Sequence, residues 1–448
     1  MGPFCWSGAM KGLQSPAKEK EHRYVMGETL IQKIMARASG KAAVMPGEIV
    51  TCAVDLAMIL DSGGPRKIWP RLEQLGVGIY DNEKVIVVAD HFVPAADPQS
   101  AAILKLTREF VKKFDIKHFY DMEGICHVVM AENGHLQPGM FCCGGDSHST
   151  MGGAFGCYMA GFGAIEMSGV VVTGDIWSVV PETIKVDWSG AFGEGVAAKD
   201  IMLFLARELG MENAFKVVEY GGDTIRNMSM MERMVLTNMA AELGAETGLI
   251  APDEITLEAI RAGGTEPAAD ALEWRSDDDA TFFAEHNFDA RTLVPQVAAP
   301  HKPSNSGPAE DFEKDKIHVD QAYIGACVGA KLTDLHMVAS VLKGRQVKSG
   351  TRLMVAPSSK KIMREAAADG TLATITEAGG MILPSGCGAC AGLGAGIIAD
   401  GEVCISSTNR NFQGRMGSND SFVYLGSPYT VAAAAVAGEI VDPRGMLS

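Results

Sequence analysis

Val85-Ile-Val-Val-Ala89 is apolar from end to end and stops at once on Asp90-His91. A strand without polar alternation is buried on both faces, as in a parallel sheet covered by helices. The rest of the chain reads the same way. Residues 28–37 form an opening helix closed by a turn at Ser39-Gly40, and 101–114 repeat Ile103, Leu106, Phe110 and Phe114 at helical spacing. Residues 170–172 and 184–186 read as strands, and 197–209 return to helical period before Gly210 stops them. Further on, 352–356 predict a strand, Pro357-Ser358 a helix cap, 360–368 a helix and 403–406 another strand. Strands alternating with helices predict an α/β fold. Polar residues just past strand ends lie where such sheets place their sites.

At 448 residues the chain is too long for one ordinary core. The expected division is an extension over 1–26, α/β lobes over 27–180 and 181–297, a linker over 298–316 interrupted by Pro300, Pro303 and Pro308, and a third lobe over 317–448. A formal net charge of −16 speaks against nucleic acid or an anionic membrane as partner. No apolar run reaches the roughly 18 residues that span a bilayer. The first 26 residues carry Lys11, Lys18 and Lys20 but no apolar core, so they do not read as a secretory signal. Trp6 stands where myristoylation wants Ser or Thr. Reduced thiols and a cytoplasmic address are therefore expected.

Cys387-Gly-Ala-Cys390 can turn two thiolates onto one centre, with glycines allowing the tight turn. Cys327 lies in the Gly-rich segment Gly325-Ala-Cys-Val-Gly329. Spacing alone admits an iron–sulfur cluster, half a zinc site, a redox dithiol or three buried apolar thiols. Cys142-Cys143 are adjacent and point apart on an extended strand. Gly144-Gly-Asp-Ser-His-Ser-Thr150 resembles a phosphate cradle but lacks the Lys of a P-loop; Asp146 and His148 form either an acid–imidazole pair or a polar turn. His91, His127 and His148 each follow a strand-like run with carboxylates near enough to fix their tautomers. Arg410 and Arg415, flanking Asn411-Phe-Gln-Gly414, are either surface arginines or a pair of forks for a carboxylate.

Taken in order, Pro46-Gly-Glu-Ile-Val50, Asp90-His-Phe-Val-Pro94, Gly124-Ile-Cys-His127, Gly144-Gly-Asp-Ser-His148, Asn238-Met-Ala-Ala-Glu242, Cys387-Gly-Ala-Cys390, Asn409-Arg-Asn-Phe-Gln-Gly-Arg415 and Gly426-Ser-Pro-Tyr-Thr-Val-Ala-Ala-Ala-Ala435 resemble the aconitase superfamily, in its isopropylmalate isomerase large-subunit form. The resemblance runs from about Glu28 to Pro443. It implies three α/β lobes around one 4Fe–4S cluster held by Cys327, Cys387 and Cys390, with one iron not ligated by protein. It also implies that His91, paired with Asp90, protonates the departing hydroxyl, and that Asp146 pairs with His127 and Glu242 with His148. Ser147, Arg410 and Arg415 fall on substrate-carboxylate positions, and Asn238 and Asn409 on positions beside the cluster.

The serine base of this superfamily sits on a swivelling domain with no counterpart in these motifs. The resemblance therefore implies a small partner subunit of about 150–200 residues, an ordinary domain size, and a role in leucine biosynthesis. Two positions depart from the pattern. Val328-Gly329-Ala330 replaces Thr-Asn-Ser after the first cysteine, and Leu60 replaces a polar residue that helps read the substrate. An apolar Leu60 favours an alkyl substituent or a smaller diacid over a third carboxylate. Isopropylmalate is thus the expected hydroxy acid, with dimethylmalate, citramalate, citraconate, maleate and homoaconitate-type acids as alternatives. A cluster-free RNA-binding relative and a zinc or dithiol protein are the readings from other classes.

Overall fold

The computed structural model describes residues 27–447; the stretch 1–26, read as an extension, lies outside the described residues. Three main sheets organise the chain. The first is parallel, with strands in the order His118–Asp121, Val85–Ala89, Leu56–Leu60, Phe141–Gly144, Tyr158–Gly161. The second is also parallel, ordered Thr247–Ile250, Lys216–Gly221, Glu182–Ser189, Ala284–Asp289. The third runs Ser306–Pro308, Gln296–Ala298, Phe422–Gly426, Val403–Ser406, Gln321–Ile324, Arg352–Val355, Met381–Ile382; it is parallel except at the first two strands. A small antiparallel ribbon pairs Ile49–Ala53 with Asp175–Val179. Among the described residues no helix is long and apolar enough to cross a membrane.

The first and third sheets each change direction of winding at their centre. In the first, the chain moves outward from Leu56–Leu60 to one side, then returns to add Phe141–Gly144 on the other. In the third, Gln321–Ile324 and Val403–Ser406 flank the same kind of switch. Such switches leave a crevice at the carboxyl ends of the strands. The two crevices face one another because the segments after the strands are bonded across: Cys387 N donates to Asp90 O at 2.8 Å and Ile125 N to Ser358 O at 2.8 Å. Gly124 and Gly386 permit this approach, since a Cβ on Gly124 would lie 2.6 Å from Ser359 Cα and one on Gly386 2.9 Å from Asp90 O.

Several expected elements change. Residues 170–172 are not a strand but belong to the helix Ala164–Thr173, closed by Gly174 in the left-handed conformation. Its buried residues include Met167, Val170 and Val171, a helical i, i+3, i+4 stripe, so packing overrides the β preference of three consecutive valines. The cap expected at Pro357-Ser358 is Ser359, which accepts from Ile362 N and starts the helix Lys360–Ala368. The helix read over 101–114 begins earlier, at Pro98, because Asp97 caps it and proline suits the first turn. The stretch read as a linker, 298–316, contains the strand Ser306–Pro308 and the helix Ala309–Glu313. Its prolines bound a hairpin at the edge of the third sheet, which takes in strands ahead of residue 317.

Candidate active site

The crevices open onto a small shared cavity. The segments around the first sheet line it with Asp90, His91, His127, Asp146 and His148, those around the third with Cys327, Cys387, Cys390, Asn409 and Arg415.

The acid–base wall is built on strand ends. Asp61, just past Leu56–Leu60 and 0% exposed, accepts the backbone N–H of His91 at 3.1 Å and of Phe92 at 2.9 Å, fixing the loop after Val85–Ala89. Asp90 then holds His91 Nδ1 at 2.7 Å with one oxygen and accepts Cys126 N at 2.8 Å with the other. Burial works against a charged His91, but Asp90, Asp146 and Asp61 outweigh it and lift the imidazole to about 9. Its other nitrogen, Nε2, lies 3.9 Å from Asp146 Oδ2.

Asp146 caps the 3₁₀ turn Ser147–Phe155, accepting His148 N at 2.8 Å while its Oδ1 lies 2.9 Å from His127 Nε2. Burial would raise this carboxyl, yet its bonds to His127 and His148 hold it well below the usual range. His127 sits in the first turn of the helix Cys126–Glu132, not directly after a strand. His148 Nε2 reaches Glu242 Oε1 at 3.0 Å, and Arg410 Nε donates to the same oxygen at 2.7 Å. Burial opposes the His148 charge, and Glu242 and Asp146 lift it to about 9.

Opposite lie the sulfurs. Cys327 stands in the short helical turn Ala326–Gly329 after Gln321–Ile324, entered through Ala326 at φ 68°, a strained conformation for a residue with a Cβ. Asn238 Nδ2 donates to Cys327 Sγ at 3.1 Å, and Asn409, 3.7 Å from the same sulfur, donates to Asn238 Oδ1 at 2.5 Å. Burial pushes the Cys327 thiol up to about 12. Cys390 is drawn down to about 5 by the bond from Cys387, then by Arg415 and His148. The segment Val328-Gly329-Ala330 makes a clasp of its own: Ser407 Oγ accepts Gly325 N at 3.1 Å and donates to Gly329 O at 3.1 Å. A Cβ on Gly329 would lie 2.2 Å from Ser407 Oγ, so the clasp needs glycine there.

These residues fit an iron–sulfur cluster. Three sulfurs face one cavity, with amide and guanidinium donors beside two of them. Among the described residues, no set of three cysteines brings its sulfurs within 4.8 Å of one another, the compactness a single metal ion needs. Three thiolates sharing one cavity fit a polynuclear iron–sulfur centre, whereas a structural zinc takes four protein ligands.

Of the remaining expected site residues, Glu242, Asn238 and Arg410 stand behind the cavity wall through the bonds above. Ser147 is exposed beside Asp146, and Leu60 is 1% exposed in the core, outside the cavity lining. Three supports were not singled out from the sequence: Asp61, Lys331 and Lys199. Lys331 Nζ donates to Cys327 O at 3.3 Å and Asp334 Oδ2 at 2.7 Å. Lys199 had a legible signal, since with Met202, Leu203 and Ala206 it lies on the buried face of the helix Ala198–Glu208.

A family model described as "Aconitase family (aconitate hydratase)" matches residues 81–438. The chain is 43% identical over 426 residues to 3-isopropylmalate dehydratase large subunit 1 of Methanopyrus kandleri, covering 94% of this chain and 100% of that one. It is 40% identical over 422 residues to the methanogen homoaconitase large subunit of Methanocaldococcus jannaschii, covering 92% and 99%. A 3-isopropylmalate dehydratase large subunit of Hydrogenobaculum is 39% identical over 426 residues, covering 94% and 99%. Thermococcus kodakaraensis aconitase X, in its holo form, superposes with a TM-score of 0.49 at 11% identity over 88% of this chain and 93% of that one. With its motifs in order and most of its length matched, the chain belongs to the aconitase family.

Proposed function

We propose that the chain is the large catalytic subunit of a 4Fe–4S-dependent hydro-lyase that dehydrates and rehydrates a small hydroxy acid, 3-isopropylmalate or a related alkylmalate. The observation that carries the reading is one cavity lined by three cysteines and by three histidines, each bonded to a carboxylate. Cys327, Cys387 and Cys390 would hold the cluster. When bound, it supplies Lewis-acid polarisation of the substrate's hydroxyl and carboxylate at an iron that no protein group ligates.

The chain's own residues supply the rest. His91, kept protonated by Asp90, delivers a proton from Nε2 to the departing hydroxyl. Asp146 and Glu242 hold His127 and His148 in fixed orientation around the oxygen being exchanged. Arg415, whose buried Nε has no hydrogen-bond partner among the described residues, offers its fork to a substrate carboxylate. Ser147, exposed beside Asp146, offers its hydroxyl to a carboxylate at the rim, and Arg410 adds its charge from behind the wall, where it bonds Glu242.

The relatives are large subunits by name, which supports a small-subunit partner. That partner brings a swivelling domain and the serine that takes the carbon-bound proton. The homoaconitase relative favours a second reading, a longer tricarboxylic acid as substrate. The test is co-expression with the small subunit, anaerobic reconstitution, and a panel of hydroxy acids followed by alkene absorbance. Turnover of 3-isopropylmalate that needs both subunits and iron is expected; a loaded complex idle on every acid of the panel overturns the reading.

A further inference from the structure

Lys199 and Lys331 are both 1% exposed, and no step above uses either. The ammonium of Lys331 is matched by Asp334. Among the described residues, that of Lys199 is bonded to backbone alone: Thr408 O at 2.5 Å and Ser407 O at 3.4 Å. The adjacent Asp200 turns its carboxylate onto Ala197 N at 2.8 Å and Gln296 N at 2.7 Å instead. A buried charge needs opposite charge nearby or it neutralises. Burial draws Lys199 down to about 8, and the groups that hold it up are Glu242, Cys390 and Cys327. Glu242 already serves His148 and Arg410. Three cluster thiolates would leave the centre net anionic, a further opposite charge for Lys199 beside Glu242 and Asp200.

We propose that Lys199 is the buried counter-charge of the iron–sulfur centre, and that it positions Asn409 by clamping the two carbonyls before it. The residues it grips lead straight into Asn409, whose side chain touches Cys327 and Cys390 at 3.7 and 3.9 Å. This role rests on the cluster reading given above. Lys199 touches neither substrate nor ligand sulfur, so it is a positioning residue. Removing its charge favours the more oxidised centre, lowering the reduction potential and hastening loss of the labile iron.

The experiment compares wild type, Lys199→Gln and Lys199→Arg as reconstituted full-length chains. Reduction is followed by electron paramagnetic resonance, and cluster-free samples are melted in parallel. Glutamine keeps donors for the carbonyls and loses the charge; arginine keeps both. Expected is a potential more negative by about 59 mV in Lys199→Gln, tenfold in a one-electron equilibrium, with roughly tenfold faster cluster decay in air. Lys199→Arg stays near wild type, and cluster-free Lys199→Gln melts no lower than wild type. An unmoved potential in a loaded Lys199→Gln overturns the proposal. So does a cluster-free Lys199→Gln that melts lower or does not fold, because the lysine is then a requirement of the fold. A wild-type chain that takes up no cluster sinks the function reading and this proposal with it.

Discussion

Replacing Glu242 tests whether the acid–base wall is held by charge. The residue is 1% exposed, and its Oε1 receives His148 Nε2 at 3.0 Å and Arg410 Nε at 2.7 Å. Glu242→Ala removes the carboxylate that His148 and Arg410 share, leaving His148 with Asp146 alone and Arg410 unmatched, and breaking a buried pair in this way costs about 3–5 kcal/mol. At about 1.4 kcal/mol per tenfold, the unfolding equilibrium rises by two to three and a half powers of ten. Two signs follow from the titrations. Burial would raise the Glu242 carboxyl, but His148 and Arg410 hold it below its ordinary value, so its stabilisation is present above about pH 4.3 and fades as pH falls through the lower folded value. His148 is raised to about 9, so its contribution is complete below about 6.5 and is lost as pH rises through about 9. Urea unfolding of the cluster-free chain between pH 3 and 9.5, followed by circular dichroism, reads both. Glu242→Ala is expected to unfold at lower urea at pH 7 and to show a shallower decline toward pH 9. A variant that matches wild type at pH 7 and keeps the full alkaline decline would refute the electrostatic account.

Three further outcomes are expected. Gly329→Ala forces a Cβ to 2.2 Å from Ser407 Oγ and 2.5 Å from Ser407 O, costing about 1–3 kcal/mol and loosening Cys327; thermal melting and iron retention will both drop. Asp61→Ala strips acceptors from His91 N and Phe92 N, costs about 1–3 kcal/mol, and shifts the alkaline edge of the activity profile to lower pH because His91 loses one of its anions. Cys327→Ser, Cys387→Ser and Cys390→Ser each abolish the brown colour and the iron content of reconstituted protein, whereas Cys404→Ser, buried away from the cavity, leaves both intact.

The fold was legible where burial had one meaning. The strand Val85–Ala89 and the helix Lys360–Ala368 have the bounds their sequence predicts, because a doubly buried run and an amphipathic stripe each admit one solution. Val170-Val171-Val172 did not, since a short apolar run fits a strand or one face of a helix, and only packing decides. Cys142 and Cys143 do point apart, into different core clusters on the two faces of their strand. At the site, the titratable groups of the motifs meet in space. The buttresses stayed hidden: Asp61 and Lys199 act on backbone atoms remote in sequence and Lys331 on the carbonyl of Cys327, and a motif scan sees side-chain chemistry but not the carbonyl or N–H that the fold will offer.

Asp90 belongs to three structures at once. Its carboxylate aims the His91 ring and caps the turn at Cys126, while its own carbonyl receives the N–H of Cys387. A disturbance of the loop that carries Cys387 therefore reaches the His91 imidazole through one peptide unit. Under the proposed function, damage at the cluster would then be felt at the imidazole, and rebuilding the one would also re-aim the other.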